Sequence, residues 1–382
     1  MNENSPNYGL RVRWNGVDGL DLLLVTVIAL LAFVPYIMSG ALLIVVFVSI
    51  FAIERTRKAL FKQKTMLLLT VGISVLSLIS SVIAKNLIGA LISVGVFIIL
   101  TVGAYLMQVM NKALFERAML VIAIGSIPTA VITVIQQIVV EYEEYRPSAH
   151  AFNPNYLGAI ATLSAVMMLV FALEKGIQTK LRVLYGTAFL SSCVTILVTE
   201  SRSSLLALMA CTVAYVFLKK KYVLCALAVV GGASLWAIGW FKPELFSWSN
   251  SLIEVFSVRY EIWQDTFKSF SQNLYTALIG RGPMSYFHVY AAEGLGAHHH
   301  AHNIFLDTLI NVGIVGFLMY AALILTFVKR VFANLRGGDK TAFIVSALVI
   351  VEVLVQGIPD VTIMWHQTAP LFLIGCAAVA KE

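Results

Sequence analysis

The sequence predicts an all-α, polytopic membrane protein of about twelve transmembrane helices. Three observations predict it. Hydrophobic residues make up 59% of the chain and charged residues 12%, with a mean hydropathy of +0.87, whereas an ordinary soluble domain is about a quarter charged. Apolar runs of the roughly 20 residues that a bilayer crossing needs recur from Leu20 to Ala380. Lys and Arg alternate between crowded and nearly empty connections between those runs. A soluble globular protein is excluded, and 1–382 reads as a single integral membrane domain.

The runs place helices near 20–38, 40–53, 65–84, 87–110, 118–140, 156–173, 183–199, 203–218, 222–241, 304–328, 341–356 and 369–380. The first follows a 19-residue polar start, leads at once into the second and lacks a small-residue cleavage pattern, so it reads as a retained helix and not a signal peptide. Cys193, Cys211, Cys225 and Cys376 all fall inside apolar runs without metal-type spacing, the setting of buried small hydrophobes.

With a cytoplasmic N-terminus, only Lys85, Arg146, Arg202, Lys242, Arg259, Lys268 and Arg281 of the 27 Lys and Arg face outward. The other 20 stay inside, which predicts both termini cytoplasmic. The net charge of +7 is thus a record of loop topology, and no nucleic-acid partner is expected. The few outer cations cluster at three places: the acidic loop 141–146 leading into Phe152-Asn-Pro-Asn-Tyr-Leu-Gly158, the turn Glu200-Ser-Arg-Ser-Ser204, and the long segment 242–303. That segment is too polar to span. Leu252, Val255, Phe256, Trp263, Phe267 and Phe270 give it a helical apolar spacing around Arg259 and Asp265, which predicts an amphipathic interfacial helix ended by Gly280-Arg-Gly-Pro283.

The chemistry-bearing residues sit on this outer side. His302 stands at the mouth of a helix in His302-Asn-Ile-Phe-Leu-Asp-Thr-Leu-Ile-Asn-Val-Gly-Ile-Val-Gly316. This stretch resembles the signature of the O-antigen ligases and polymerases: a His-Asn pair, Leu three residues after the Asn, then Glu-x-Gly-x-x-Gly. His302, Asn303, Leu306, Gly313 and Gly316 match, while Asn311 stands at the acidic position. Three further pieces follow the family's order: Asn153-Pro-Asn-Tyr-Leu-Gly158, Ser201-Arg-Ser-Ser204, and Arg259-Tyr-Glu-Ile-Trp263 with Gly280-Arg-Gly282. The resemblance covers residues 150–320.

The resemblance implies a GT-C-like membrane glycosyltransferase of the bacterial inner membrane, with its site on the extracytoplasmic face. Glycan would pass from an undecaprenyl-diphosphate carrier to an acceptor hydroxyl, with no soluble cofactor and no metal. Such chemistry needs cations for the leaving diphosphate, which guanidiniums bind in charge-assisted, often bidentate fashion; Arg202 and Arg259 are the candidates, with Arg281 beside its two glycines a third. It also needs a base for the attacking hydroxyl, and His302 is the candidate.

Each assignment has a plainer competitor. Outer arginines at helix ends commonly snorkel to lipid phosphates. The tract His298, His299, His300 and His302 could bind a metal, but neighbouring histidines rarely converge on one ion, so one working His is expected. Asp307 and Asn303 are candidate partners of the imidazole, with Asn311 an alternative. Asn153 and Asn155 line the cleft or serve as turn and cap residues. Glu352, a carboxylate inside a predicted span, supports the site or packs as a neutral group. His150, His288 and His366 carry no motif.

The leading reading is a polymerase that joins lipid-linked repeat units, alongside a flippase or chain-length regulator. Its rivals with the same donor are a ligase to lipid A core and a protein oligosaccharyltransferase. From other classes, an export scaffold would tolerate loss of Arg202 or His302, and a solute transporter would show broken helices or internal repeats.

Overall fold

The computed structural model describes residues 17–140, 146–224, 226–227, 229–231, 234, 247–286 and 300–379, with side chains except over 247–256. Among these residues every regular element is a helix: α1 (Gly19–Leu30), α2 (Tyr36–Ala52), α3 (Glu54–Phe61), α4 (Lys64–Ile83), α5 (Leu87–Val109), α6 (Lys112–Val139), α7 (Pro154–Leu173), α8 (Thr179–Val198), α9 (Arg202–Leu218), α10 (Ser247–Ser271), α11 (Leu274–Ile279), α12 (Ile304–Arg336), α13 (Lys340–Gln356) and α14 (Ala369–Cys376). A further apolar helix runs over Tyr222–Gly231.

Local sequence sets the starts. The side chains of Asn86, Asn111, Asn153 and Asp339 accept first-turn N–H groups of α5, α6, α7 and α13, and Pro154 occupies the first turn of α7, where its missing N–H costs nothing.

Among the described residues six helices, α4 to α8 and α12, are long and apolar enough to cross a membrane; α2 and α3, bent by 88°, give a seventh if counted as one span. The other predicted spans coincide with shorter helices, except 222–241, much of which lies outside the described residues. The run 369–380 shows why apolarity overstates length. Its helix α14 has eight residues, about 12 Å against a hydrocarbon core of about 30 Å, and all eight are buried. They are apolar because protein surrounds them, not lipid.

Helix α7 is the hub, 83% of its apolar window being buried against 28% for α8 and α12. It packs on α8, α9 and α13. Perimeter helices turn large apolar side chains outward, such as Leu68, Leu91 and Ile138, as a lipid-facing surface requires.

Connections divide between two ends. At one, Tyr36 N–H donates to His150 O (3.0 Å), His150 Nε2 lies 2.7 Å from Ala32 O, Gln367 donates to Val34 O (2.9 Å), and Asn86 donates to Pro283 O (2.8 Å). At the other, Arg55 bridges Asp18 and Asp21, Lys219 pairs with Glu174 at 3.2 Å, and Arg330 donates to Met107, Ala377 and Ala378 carbonyls. The basic connections belong to the second end and the motif residues to the first.

The amphipathic helix expected in 242–303 is α10, packed on α12. Ile262 and Thr266 turn inward, and Ile262 joins Tyr286, Ala301 and Ile310 in a small core beneath the motif loop. Phe267, expected on the apolar face, is exposed. Leu252, Val255 and Phe256 fall outside the described side chains, and 242–246, His288, His298 and His299 outside the described residues.

Candidate active site

The site begins with a break in α12. Gly313 leaves helical geometry at φ 65, ψ −172, which a side-chain-bearing residue rarely adopts. The break exposes carbonyls one turn earlier, and the loop after α11 takes them: Arg281 N–H donates to Ile310 O (3.0 Å) and Gly282 N–H to Asn311 O (2.7 Å). The approach is so close that a Cβ on Gly280 would strike the Asn311 backbone, and one on Gly313 the backbone of Leu278 and Ile279. Gly280 and Gly313, one from each motif, therefore belong to one joint.

Asn311 completes that joint. Its amide donates to Asp307 Oδ2 (2.7 Å), and its Oδ1 accepts from Ser285 Oγ (2.9 Å) and Ser285 N–H (3.3 Å). An ionised carboxylate could accept but not donate, so Asn, where the family signature has Glu, matches a neighbouring Asp. The other oxygen of Asp307 accepts Ala301 N–H at 3.0 Å. Asp307 thus grips the loop one residue before His302, a role different from the expected partnership with the imidazole.

His302 itself has φ 47, a left-handed conformation uncommon outside glycine and found at strained functional positions. Its carbonyl accepts from Trp263 Nε1 (3.3 Å). Asn303 caps α12 through Phe305 and Leu306 N–H, both 3.0 Å, and donates to Ile358 O (3.1 Å). Ile304 N–H donates to Gly357 O at 2.7 Å. These bonds staple the connection after α13 to the mouth of α12 and deliver a residue that sequence reasoning missed.

That residue is Asp360, whose Oδ1 lies 3.6 Å from His302 Nδ1 and 3.7 Å from His300 Nε2. Both separations are ion-pair distances, longer than a formed hydrogen bond. The two imidazoles sit with centroids 4.3 Å apart, and His300 Nδ1 accepts His302 N–H (3.2 Å). Burial alone would raise the Asp360 carboxyl, but His302, His300 and the Val361 N–H outweigh it and hold the group below the usual carboxylate range. The signal in the sequence was slight: one carboxylate after a proline between two apolar runs.

Two arginines, Arg146 and Arg259, lie within electrostatic reach of this carboxylate. Arg146 donates through Nε to Thr199 O and through Nη2 to Asn155 Oδ1, both at 2.9 Å. Burial pulls its pKa down, and the charges of Glu200 and Asp360 oppose that shift while Arg202 adds to it. Arg259 is likewise lowered by burial, with Asp360 opposing and Arg202 adding. Arg146, Arg202 and Arg259 therefore lie within electrostatic reach of one another's site, two of them with Asp360.

Arg202 opens α9 directly after a turn with Glu200 at φ 49. Ser201 and Ser204 hydroxyls meet at 2.8 Å, Gln356 donates to Ser204 Oγ at 3.2 Å, and a Cβ on Gly158 would collide with both serines. The small residues let α7, α9 and α13 converge where the arginine emerges.

The remaining candidates separate. Asn153 caps α7 by accepting Tyr156 N–H (3.0 Å), and Asn155 orients Arg146. Arg281 commits its guanidinium to Gln272 Oε1 (2.5 Å) and Thr276 Oγ1 (3.4 Å). Glu352 is buried in α13, and its Oε1 has no hydrogen-bond partner among the described residues. His366 Nε2 lies 2.9 Å from Tyr36 O, and His150 and His366 are both held below the ordinary His range by burial, which backbone hydrogen bonds only partly oppose.

Donor atoms of His300, His302 and Asp360 lie within 4.8 Å of one another, a spacing that could hold a metal. The guanidiniums around Asp360 make the surroundings cationic, which suits an anion better than a divalent cation.

A family model described as O-antigen ligase matches residues 187–321. No curated protein matches the chain. The matched stretch contains Arg202, Arg259, the glycines of the joint and His302, and leaves Arg146, Asn153, Asn155 and Asp360 outside. Over that stretch, about a third of the chain, the protein is similar to the O-antigen ligases.

Proposed function

We propose that this protein, similar over residues 187–321 to the O-antigen ligases, is a member of the O-antigen ligase and polymerase superfamily that joins lipid-linked oligosaccharide repeats on the outer face of a bacterial inner membrane, with undecaprenyl diphosphate as carrier. The observation that carries the reading is that Arg146 and Arg259 each lie within electrostatic reach of Arg202 and of Asp360, whose carboxylate stands 3.6 Å from His302. A diphosphate and a hydroxyl base are the two things glycan transfer from such a donor needs.

In this reading Arg202 and Arg259 bind the diphosphate, and Arg146, fixed by Thr199 and Asn155, adds a third positive charge. The acceptor hydroxyl attacks the anomeric carbon as the bond to the diphosphate oxygen breaks. The leaving group takes the electron pair, and the hydroxyl proton passes to His302. Asp360 beside Nδ1 selects the tautomer with its proton on that nitrogen, so Nε2 accepts the hydroxyl proton, and it stabilises the imidazolium that forms. No step requires a metal or soluble cofactor. Preorganised cations in a water-poor site are worth on the order of a hundredfold or more each in rate.

The broken α12 is a feature a transporter would show. Here the freed carbonyls of Ile310 and Asn311 are taken by the N–H groups of Arg281 and Gly282, which favours a structural joint over an ion site.

The experiment is turnover of an undecaprenyl-diphosphate oligosaccharide by purified protein in nanodiscs with EDTA. A ladder of products supports polymerase action. Release of carrier diphosphate only after lipid A core or a protein acceptor is added would replace it with ligase or protein-transfer action, and no turnover with any acceptor would remove the reading.

A further inference from the structure

Beside the charged cluster lies an aromatic group that the reaction just described does not use. Phe152 stacks on Trp365 with centroids 5.9 Å apart and planes 13° from parallel, and Tyr156 meets Trp365 at 4.9 Å. Tyr36 closes the group, 5.1 Å from Phe152 and 4.4 Å from His366.

The group is built and rigid. Gln367 ties its loop to Val34 and His150 carbonyls, His366 contacts Tyr36 O, and Tyr36 N–H is bonded to His150 O. Tyr156 is buried and Trp365 half-buried, while Phe152 is 57% exposed, so the ledge offers one open ring.

Its position points to the occupant. Trp365 follows Asp360 by five residues on the same connection, and Tyr156 lies within electrostatic reach of Asp360. Phe152 immediately precedes the turn whose Asn155 holds Arg146. A ligand with its anion among the arginines would carry its next covalent group over this ledge.

We propose that Phe152 and Trp365 form a glycan subsite, taking the C–H face of a pyranose ring in the lipid-linked substrate. This rests on the reading of the site as a diphosphate–sugar site. A pyranose presents an apolar face and equatorial hydroxyls, matching an open aromatic ring flanked by polar Asn153 and Asn155. Aromatic anchors of a membrane interface turn outward into lipid headgroups, whereas here the partner rings Tyr156 and Trp365 pack on one another, with Tyr156 within electrostatic reach of Asp360.

The test uses full-length protein in nanodiscs and two probes: undecaprenyl diphosphate carrying a synthetic trisaccharide of hexopyranoses, and undecaprenyl diphosphate alone. Phe152→Ala is expected to weaken binding of the first about tenfold and leave the second unchanged, with Phe152→Tyr restoring wild-type affinity. Equal loss for both probes would make the ledge a lipid contact and overturn the proposal, as would no loss for either. Wild-type protein that binds the bare diphosphate lipid with no gain from the trisaccharide would overturn the subsite alone. Failure of wild type to bind either probe would overturn the diphosphate reading and the subsite with it.

Discussion

Asp360 Oδ1 stands 3.6 Å from His302 Nδ1 although 57 residues separate the two in the chain. The contact exists because Asn303 and Ile304, at the mouth of α12, are bonded to the carbonyls of Ile358 and Gly357. A buried carboxylate beside one nitrogen of an imidazole orients the ring and its tautomer. Asp360→Asn should therefore lower kcat on the order of a hundredfold or more while leaving the Kd for donor lipid within a few-fold. Single-turnover kinetics with a separate binding measurement checks this; equal effects on both would make Asp360 a binding group.

Asp360 also has a pH signature. Its carboxyl is held below the ordinary range, the net of burial opposed more strongly by His302, His300 and Val361 N–H. A depressed carboxylate contributes stability that is fully present above the unfolded value of about 3.9 and is lost as pH falls through the folded value. Thermal unfolding in nanodiscs should show wild type more stable than Asp360→Asn at neutral pH, with the difference shrinking in acid below about pH 4.

Gly313 and Gly280 hold the joint between α11 and α12 with positive φ and direct backbone contact. Either glycine replaced by Ala should destabilise the protein by more than about 2 kcal/mol, combining a strained dihedral with a clash that no side-chain rotation relieves. Gly95, where an added Cβ meets nothing within 4 Å, is the control, and Gly95→Ala should leave the unfolding midpoint unchanged or slightly higher.

Asn311 and Asp307 make a complementary pair. Asn311→Asp should place two carboxylates together, loosen the His loop through Ala301 and cut activity about tenfold. Adding Asp307→Asn should recover much of that loss. Activity that stays low in the double variant would mean that Asp307 acts directly on substrate.

Arg281 and Arg202 should behave differently. Arg281 is held by Gln272 and Thr276, so Arg281→Ala should change turnover by less than about threefold, whereas Arg202→Ala should cost about a hundredfold. Arg202→Lys should recover little, since an ammonium cannot reproduce a bidentate grip on phosphate.

Much of this was legible in the sequence because a bilayer imposes simple rules. Apolar runs marked where many of the helices lie, and of the few cations assigned to the outer side, Arg146 and Arg259 each fall within electrostatic reach of Arg202. What the sequence hid came from burial inside protein. The run containing α14 resembles a span because its eight residues are enclosed by other helices. Asp360 was hidden because its partner lies at the mouth of another helix, distant in sequence and brought close by the Asn303–Ile358 and Ile304–Gly357 bonds. Asp307 resembled the partner of His302 because it follows it closely in the same stretch of sequence, yet its oxygens bind Ala301 and Asn311.

The central claim is that His302, beside Asp360 and the arginines, takes the acceptor proton in transfer from a diphosphate-linked glycan. Its most direct measurement is single-turnover transfer from an undecaprenyl-diphosphate oligosaccharide in nanodiscs with EDTA, comparing wild type with His302→Ala at matched folding and donor occupancy. The account predicts product in wild type and its loss in the variant with donor still bound; transfer persisting in His302→Ala at the wild-type rate would contradict it.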